Sequence, residues 1–351
     1  MIKLSFFGTL LAAILLAVCN AYPPSAPAAA GAAAPLREKI CGLTFVAPPD
    51  PFPADPMPAV TGVGANWIAV VPYAFTRPGQ PAVHFAEQNK WQWWGESPEG
   101  VRQTIRMAHA AGLKVMLKPQ VFVPGGWTGA LDFSTDEAWT AWETDYERFL
   151  TFYARLAAEE RPDMLCIGTE FNNAIQKRPE FWLRLIGKIR AEYPGRLTYS
   201  ANWDDWSRVP FWSELDFIGL GGYFPLVQQT TPSVDALQNA WQPIVDQLRA
   251  FSKAQGKPVL FTEFGYLSVD SCGWRNWELE RGIEQRIINE PAQANCYEAL
   301  FSTFCREDWW AGGFLWKWFP NMRGHEGYPE RDYTPQGKAA EAVLRKWYTE
   351  E

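Results

Sequence analysis

Histidine is scarce. Of 351 residues only His84, His109 and His325 carry an imidazole, and no two form a His-x-x-x-His pair. A zinc hydrolase built on a helical ligand pair is therefore excluded. The chain also lacks a Gly-x-Ser-x-Gly elbow, a phosphate-binding loop and a Gly-rich dinucleotide turn. These absences remove the α/β-hydrolase, nucleotide-hydrolysing and dinucleotide-linked chemistries. Positive charge is in deficit, with 32 Lys and Arg against 39 Asp and Glu, and the signs are mixed without a like-charged block. Phosphate backbones need clustered Lys and Arg, so nucleic acid is not an expected partner. Residues 4–18 form an apolar run behind Lys3 that is too short to span a bilayer. Its length and flank fit the core of an export signal instead.

That signal is expected to occupy residues 1–21, with two possible ends. Leu16-Ala17-Val18-Cys19 resembles a lipobox, in which Cys19 would be acylated and become the only membrane attachment; ordinary cleavage near Ala21 is the alternative. Residues 22–37 are rich in Ala and Pro and read as a tether, leaving 38–351 as a single folded domain expected to be a monomer. Cysteine is also sparse. Cys41 and Cys166 fall in predicted strands as buried thiols, whereas Cys272 lies in a long loop just before the helix that holds Cys296 and Cys305. Export would permit a Cys272–Cys296 bridge.

What the chain has in abundance is aromatic residues, 19 Trp, 22 Phe and 12 Tyr. Such rings fill cores, and they also stack on the apolar faces of sugars. Strand-like runs alternate with helical patterns. Strands are predicted at 40–46, 66–71, 113–118, 164–170, 197–202, 216–222, 258–263 and 312–318. Between them, Ser97-Pro98-Glu99 reads as a helix start, Ser134 with Glu137 as a capping box, and Pro179 as the opening of another helix. Trp139, Trp142, Tyr146, Phe149, Tyr153 and Leu156 lie on one helical stripe, and His109 sits in an amphipathic helix as a structural residue. Eight parallel-type strands without a dinucleotide turn favour a single-domain α/β fold, the (β/α)8 or TIM barrel.

Two of these strands end in the same tripeptide, Thr169-Glu170-Phe171 and Thr262-Glu263-Phe264. A carboxylate closing a buried apolar strand is costly unless a site uses it. Strands four and seven face each other across a barrel, so Glu170 and Glu263 are predicted to meet at its C-terminal rim. Glycoside hydrolysis needs one carboxylic acid to protonate the leaving oxygen and one carboxylate to attack, held about 5–5.5 Å apart in retaining enzymes. Glu170 is the candidate acid/base and Glu263 the candidate nucleophile; this chemistry needs no metal and no cofactor. Further strand-end candidates for substrate contact are Lys118, Gln120, Asn172, Asn202 and Asp204. Lys118 is equally readable as the buried partner of a carboxylate. Trp203 and Trp206, with Trp274 and Trp277 in the unusually long loop 267–292, either extend a sugar cleft or pack their loops. His325 is a possible substrate contact in a loop near the site.

Together these residues resemble glycoside hydrolase clan A. Tyr223, beyond strand six, resembles the aromatic residue that clan members place beside the nucleophile, and Trp316, within Gly312-Gly313-Phe314-Leu315-Trp316, resembles their sugar platform. Within the clan the chain is most similar to glycoside hydrolase family 113, through Gly168-Thr169-Glu170, Thr262-Glu263-Phe264-Gly265 and Tyr333-Thr334-Pro335-Gln336-Gly337-Lys338. The likeness covers roughly residues 38–348. It implies a retaining enzyme that cleaves β-1,4-mannosidic bonds in mannan-type polysaccharides or oligosaccharides. Alternatives are another β-glycan hydrolase of the clan (a galactanase, cellulase or exo-β-glycosidase) or a carbohydrate-binding barrel without turnover. One departure stands out. Many clan members have Asn before the acid/base, contacting the sugar 2-hydroxyl; this chain has Thr169, so that contact must be shorter, water-mediated or supplied by another residue such as Asn202.

Overall fold

A computed structural model describes residues 38–87, 92–320 and 327–349. Eight parallel strands form its centre. In chain order they are β1 (Ile40–Phe45), β2 (Trp67–Val70), β3 (Lys114–Leu117), β4 (Met164–Thr169), β5 (Arg196–Ser200), β6 (Ile218–Gly221), β7 (Val259–Phe264) and β8 (Trp310–Trp318). Hydrogen bonding runs β5-β4-β3-β2-β1-β8-β7-β6. The remaining seam is closed by Ala201, whose N–H donates to Gly219 O at 3.0 Å and whose carbonyl accepts from Gly221 N–H at 2.9 Å. The sheet thus closes into the expected (β/α)8 barrel.

Why these segments become strands is visible in their burial. Every residue of β2, β4, β6 and β7 is buried, as for strands covered by helices outside and side chains inside. Trp67, Met116, Met164, Cys166, Phe217, Leu260 and Phe314 pack together as the plug of the barrel. Gly42 on β1 admits this plug, since a Cβ there would lie within 2.4 Å of the Phe314 ring.

The outer layer follows the helical periodicity. Helix Pro98–Ala110 starts at Ser97, whose Oγ accepts from Gly100 N–H at 3.1 Å. Helix Asp136–Glu160 buries Trp139, Trp142, Tyr146, Phe149, Tyr153 and Leu156 against the barrel. Its cap corrects the sequence expectation: Thr135, not Ser134, is extended and accepts from Ala138 N–H at 3.2 Å. The helix begins one residue later than the capping-box pattern implied, so Thr135 holds the position that reaches the third helical amide. Beyond the rim lies an element the sequence did not announce. Short strands Tyr73–Phe75 and Gln120–Phe122 pair in parallel just after β2 and β3 and raise that side of the wall.

His109 meets Asp163 at 3.3 Å on the outer surface. Cys166 is buried and Cys41 partly so; Cys272 and Cys296 are buried thiols with Sγ atoms 3.9 Å apart. Among the described residues no helix is long and apolar enough to cross a membrane. The predicted signal with Cys19, the tether and His325 lie outside the described residues.

Candidate active site

Glu170 directly follows β4, and its neighbours fix its direction. Phe171 is 1% exposed and packs among Trp142, Tyr146 and Trp182, with centroids 5.1–5.4 Å away. Its N–H donates to the Tyr199 hydroxyl at 2.7 Å. With Phe171 sunk into the strand–helix layer, the backbone at Glu170 turns to φ +54° and its N–H donates to Ser200 O at 2.8 Å on β5. Glu263 lies inside β7. Phe264 packs outward on Tyr297 and Phe301, and Thr262 hydrogen-bonds Ser200 at 2.7 Å. The Glu263 carbonyl accepts from Gly222 N–H at 2.7 Å, which locks the end of β7 to that of β6.

The two carboxyl groups have unlike surroundings. Lys118, at the end of β3 and fully buried, bonds Glu263 Oε1 through Nζ and also donates to Gln120 Oε1 at 3.0 Å. Tyr223 donates its hydroxyl proton to Glu263 Oε2 at 3.2 Å. Of the two roles open to Lys118, the geometry supplies the buried partner of a carboxylate. Among the described residues no cation bonds Glu170. Its Oε2 accepts the Trp127 indole N–H at 2.6 Å. Burial, and secondly the charge of Glu263, push the Glu170 carboxyl up to about 7, while Trp127 and Lys118 act the other way. Burial also raises the Tyr223 phenol, keeping it a proton donor.

Other expected contacts fall into two groups. Asn172 heads the short helix after Glu170 and its N–H donates to the Glu170 carbonyl at 2.9 Å. Asn202 and Asp204 follow β5, joined by an Asn202 Nδ2–Asp204 Oδ1 bond of 2.8 Å, and the Asp204 charge is felt at Glu170. Trp316 is half-buried on β8. Trp203 stacks on Trp277 at 5.7 Å, so the long loop is tied to the β5 end of the rim. Trp274 meets the guanidinium of its neighbour Arg275 at 5.7 Å, and Trp206 meets Phe251 at 4.9 Å. Thr169 is 4% exposed and its hydroxyl is buried without a protein partner among the described residues.

Two contributors were missed from sequence. Trp127 follows Gly125-Gly126 in the loop after β3, a weak signal among so many aromatics. Tyr333 lies edge-on to Tyr223 and donates to Glu280 Oε1 at 2.7 Å, linking the long loop to the Glu263 side of the rim.

A closed parallel barrel with two electrostatically coupled carboxyl groups at the C-terminal rim defines the class, a glycoside hydrolase of the clan A type. More narrowly, the chain belongs to glycoside hydrolase family 113, whose profile matches residues 53–338. Its structure is similar to that of the family 113 β-mannanase of Alicyclobacillus acidocaldarius in complex with ManMIm. The TM-score is 0.76 and the identity 28%, over 88% of this chain and 97% of that one. A family 113 β-1,4-mannanase solved as a complex gives a TM-score of 0.74 at 25% identity, over 90% and 100%. The Ruminococcus gnavus β-glucuronidase shares the fold at 13% identity and a TM-score of 0.58, with 84% of this chain matched to 46% of that one. No curated protein sequence matches the chain. Family membership sets aside the reading as a binding barrel without turnover; the protein is a glycoside hydrolase and its substrate is a glycan.

Proposed function

We propose that the protein is a retaining β-mannanase that cleaves β-1,4-mannosidic bonds in mannan-type polysaccharides or oligosaccharides by double displacement. The observation that carries the mechanism is the unlike pairing of the two carboxyl groups. Glu263, bonded by the Lys118 ammonium and the Tyr223 hydroxyl, is the nucleophile that attacks the anomeric carbon. Glu170, half-buried and raised to about 7 by desolvation and the charge of Glu263, holds a proton near neutral pH and gives it to the leaving oxygen. It then takes a proton from the water that opens the glycosyl-enzyme ester. Trp316 and Tyr223 are the proposed sugar contacts beside the cleaved bond, with Asn202, Asn172, Asp204 and Trp203 further along the rim.

Support for mannan comes from the solved family members, described as β-mannanases and β-1,4-mannanases. Reducing-end release from mannan, glucomannan, galactan and cellulose tests it, with the anomer of the first product followed by NMR. Hydrolysis of mannan with retained β configuration is expected. Release from galactan or cellulose but not mannan would transfer the enzyme to another specificity of the clan, and an inverted first product would remove the covalent intermediate. For the N-terminal segment the proposal is export, with acylation at Cys19 or cleavage near Ala21. Mass spectrometry of the mature N-terminus separates the two, and an uncleaved Met1 would refute both.

A further inference from the structure

Trp127 has a position that neither packing nor the proposed chemistry has yet used. It lies on the loop after β3, 43% exposed, while its indole N–H is spent on Glu170 Oε2 at 2.6 Å. A ring that only filled space would be buried, and a ring that only decorated the surface would leave Glu170 alone. The loop is shaped to hold it. Thr128–Ala130 forms one tight turn directly behind the ring, and a Cβ at Gly129 would come within 2.4 Å of the indole. Thr128 is buried, and Asp132 pairs with Lys177 at 2.5 Å. Lys177 ends the helix Asn172–Lys177 that follows Glu170, so the loop bearing the donor is bound to the segment bearing the acceptor.

Direction follows from chemistry. An acid that protonates a glycosidic oxygen stands on the leaving-group side of the bond it breaks. A flat ring bonded to that acid and open to solvent borders the same side. We propose that Trp127 positions the Glu170 carboxyl through its indole N–H and offers its open face to the sugar on the leaving-group side of the scissile bond. This rests on Glu170 being the acid/base, and deepens that reading by naming what orients the acid and what receives the departing sugar.

Three variants test it by kcat/KM against pH on manno-oligosaccharides. Trp127→Phe keeps a ring and removes the donor that favours the carboxylate, so the basic limb moves to higher pH by about one unit while KM changes little. Trp127→Ala moves the limb equally and raises KM roughly 3- to 10-fold, through loss of the ring face. Gly129→Ala leaves the indole in the chain but displaces it, and is expected to repeat the limb shift, which guards against a Trp127→Phe protein that fails to fold. An unmoved limb in Trp127→Phe and Gly129→Ala, or an unchanged KM in Trp127→Ala, overturns the proposal. Glu170→Gln assayed both on manno-oligosaccharides and on an aryl manno-oligosaccharide, whose leaving group needs no proton, separates the two levels. A large loss of kcat/KM on the first with little loss on the second keeps Glu170 as the acid whatever Trp127 does, and equal losses on both refute the acid/base reading itself.

Discussion

Thr169-Glu170-Phe171 and Thr262-Glu263-Phe264 are the same tripeptide, yet the barrel makes opposite environments of them. At the second, β3 and β6 supply a cation and a phenol, so Glu263 is surrounded by donors. At the first, the flanking Phe is drawn into an aromatic layer and the carboxyl receives an indole N–H, burial and a neighbouring negative charge. Chemical role is thus set by what neighbouring strands bring, since identical local sequence supplies identical intrinsic pKa values.

Removing either carboxyl breaks the comparison most severely. Glu263→Ala is expected to lower kcat on the order of 10⁴–10⁶-fold, as for loss of a nucleophile. Glu170→Ala is expected to lose about 10²–10⁴-fold, and azide on an aryl glycoside should give the β-glycosyl azide with the Glu170 variant and the α-glycosyl azide with the Glu263 variant. Full turnover by Glu263→Ala would end the double-displacement assignment. Next in size is Lys118→Met, which leaves a buried carboxylate without its cation. A loss of roughly 3 kcal/mol in urea unfolding is expected, whereas a merely substrate-binding Lys118 would change KM and leave stability alone.

The pH dependence sharpens the contrast. Folding raises the Glu170 carboxyl from 4.5 to about 7, so the native state holds its proton more tightly than the unfolded chain. Its contribution to stability is complete below about 4.5 and is lost as pH rises through about 7. Glu170→Gln, which has no proton to lose, should therefore gain on the wild type in thermal midpoint between pH 5 and pH 8. In Glu263→Gln the Glu170 titration, followed by carboxyl ¹³C NMR, should move down, because the like charge is gone. No movement would mean burial alone sets it. The smallest effect belongs to Tyr223→Phe, which removes one donor from Glu263 and is expected to cost about tenfold in kcat/KM.

Much of this was legible in the chain. Parallel strands buried on both faces announce themselves as apolar runs, and all eight barrel strands lie within a few residues of their expected places. The Glu pair was legible because a charge at the end of such a run is conspicuous. Lys118 was ambiguous, since only the folded barrel shows which carboxylate stands opposite it. Trp127 and the paired strands Tyr73–Phe75 and Gln120–Phe122 were hidden because their partners are distant in sequence. Thr169 invited comparison with a sugar-binding Asn, but its hydroxyl is buried.

The backbone of Glu170, at φ +54°, has a consequence for how such enzymes are inactivated in the laboratory. A left-handed conformation disfavours any residue with a Cβ by roughly 1–2 kcal/mol, and glycine escapes that penalty. Native glutamate and the usual alanine replacement share it. Glu170→Gly should therefore melt above Glu170→Ala despite glycine's greater freedom when unfolded, which would make the dead enzyme sturdier than its conventional knockout. A Glu170→Gly midpoint at or below that of Glu170→Ala would show that the left-handed backbone at position 170 carries no such cost.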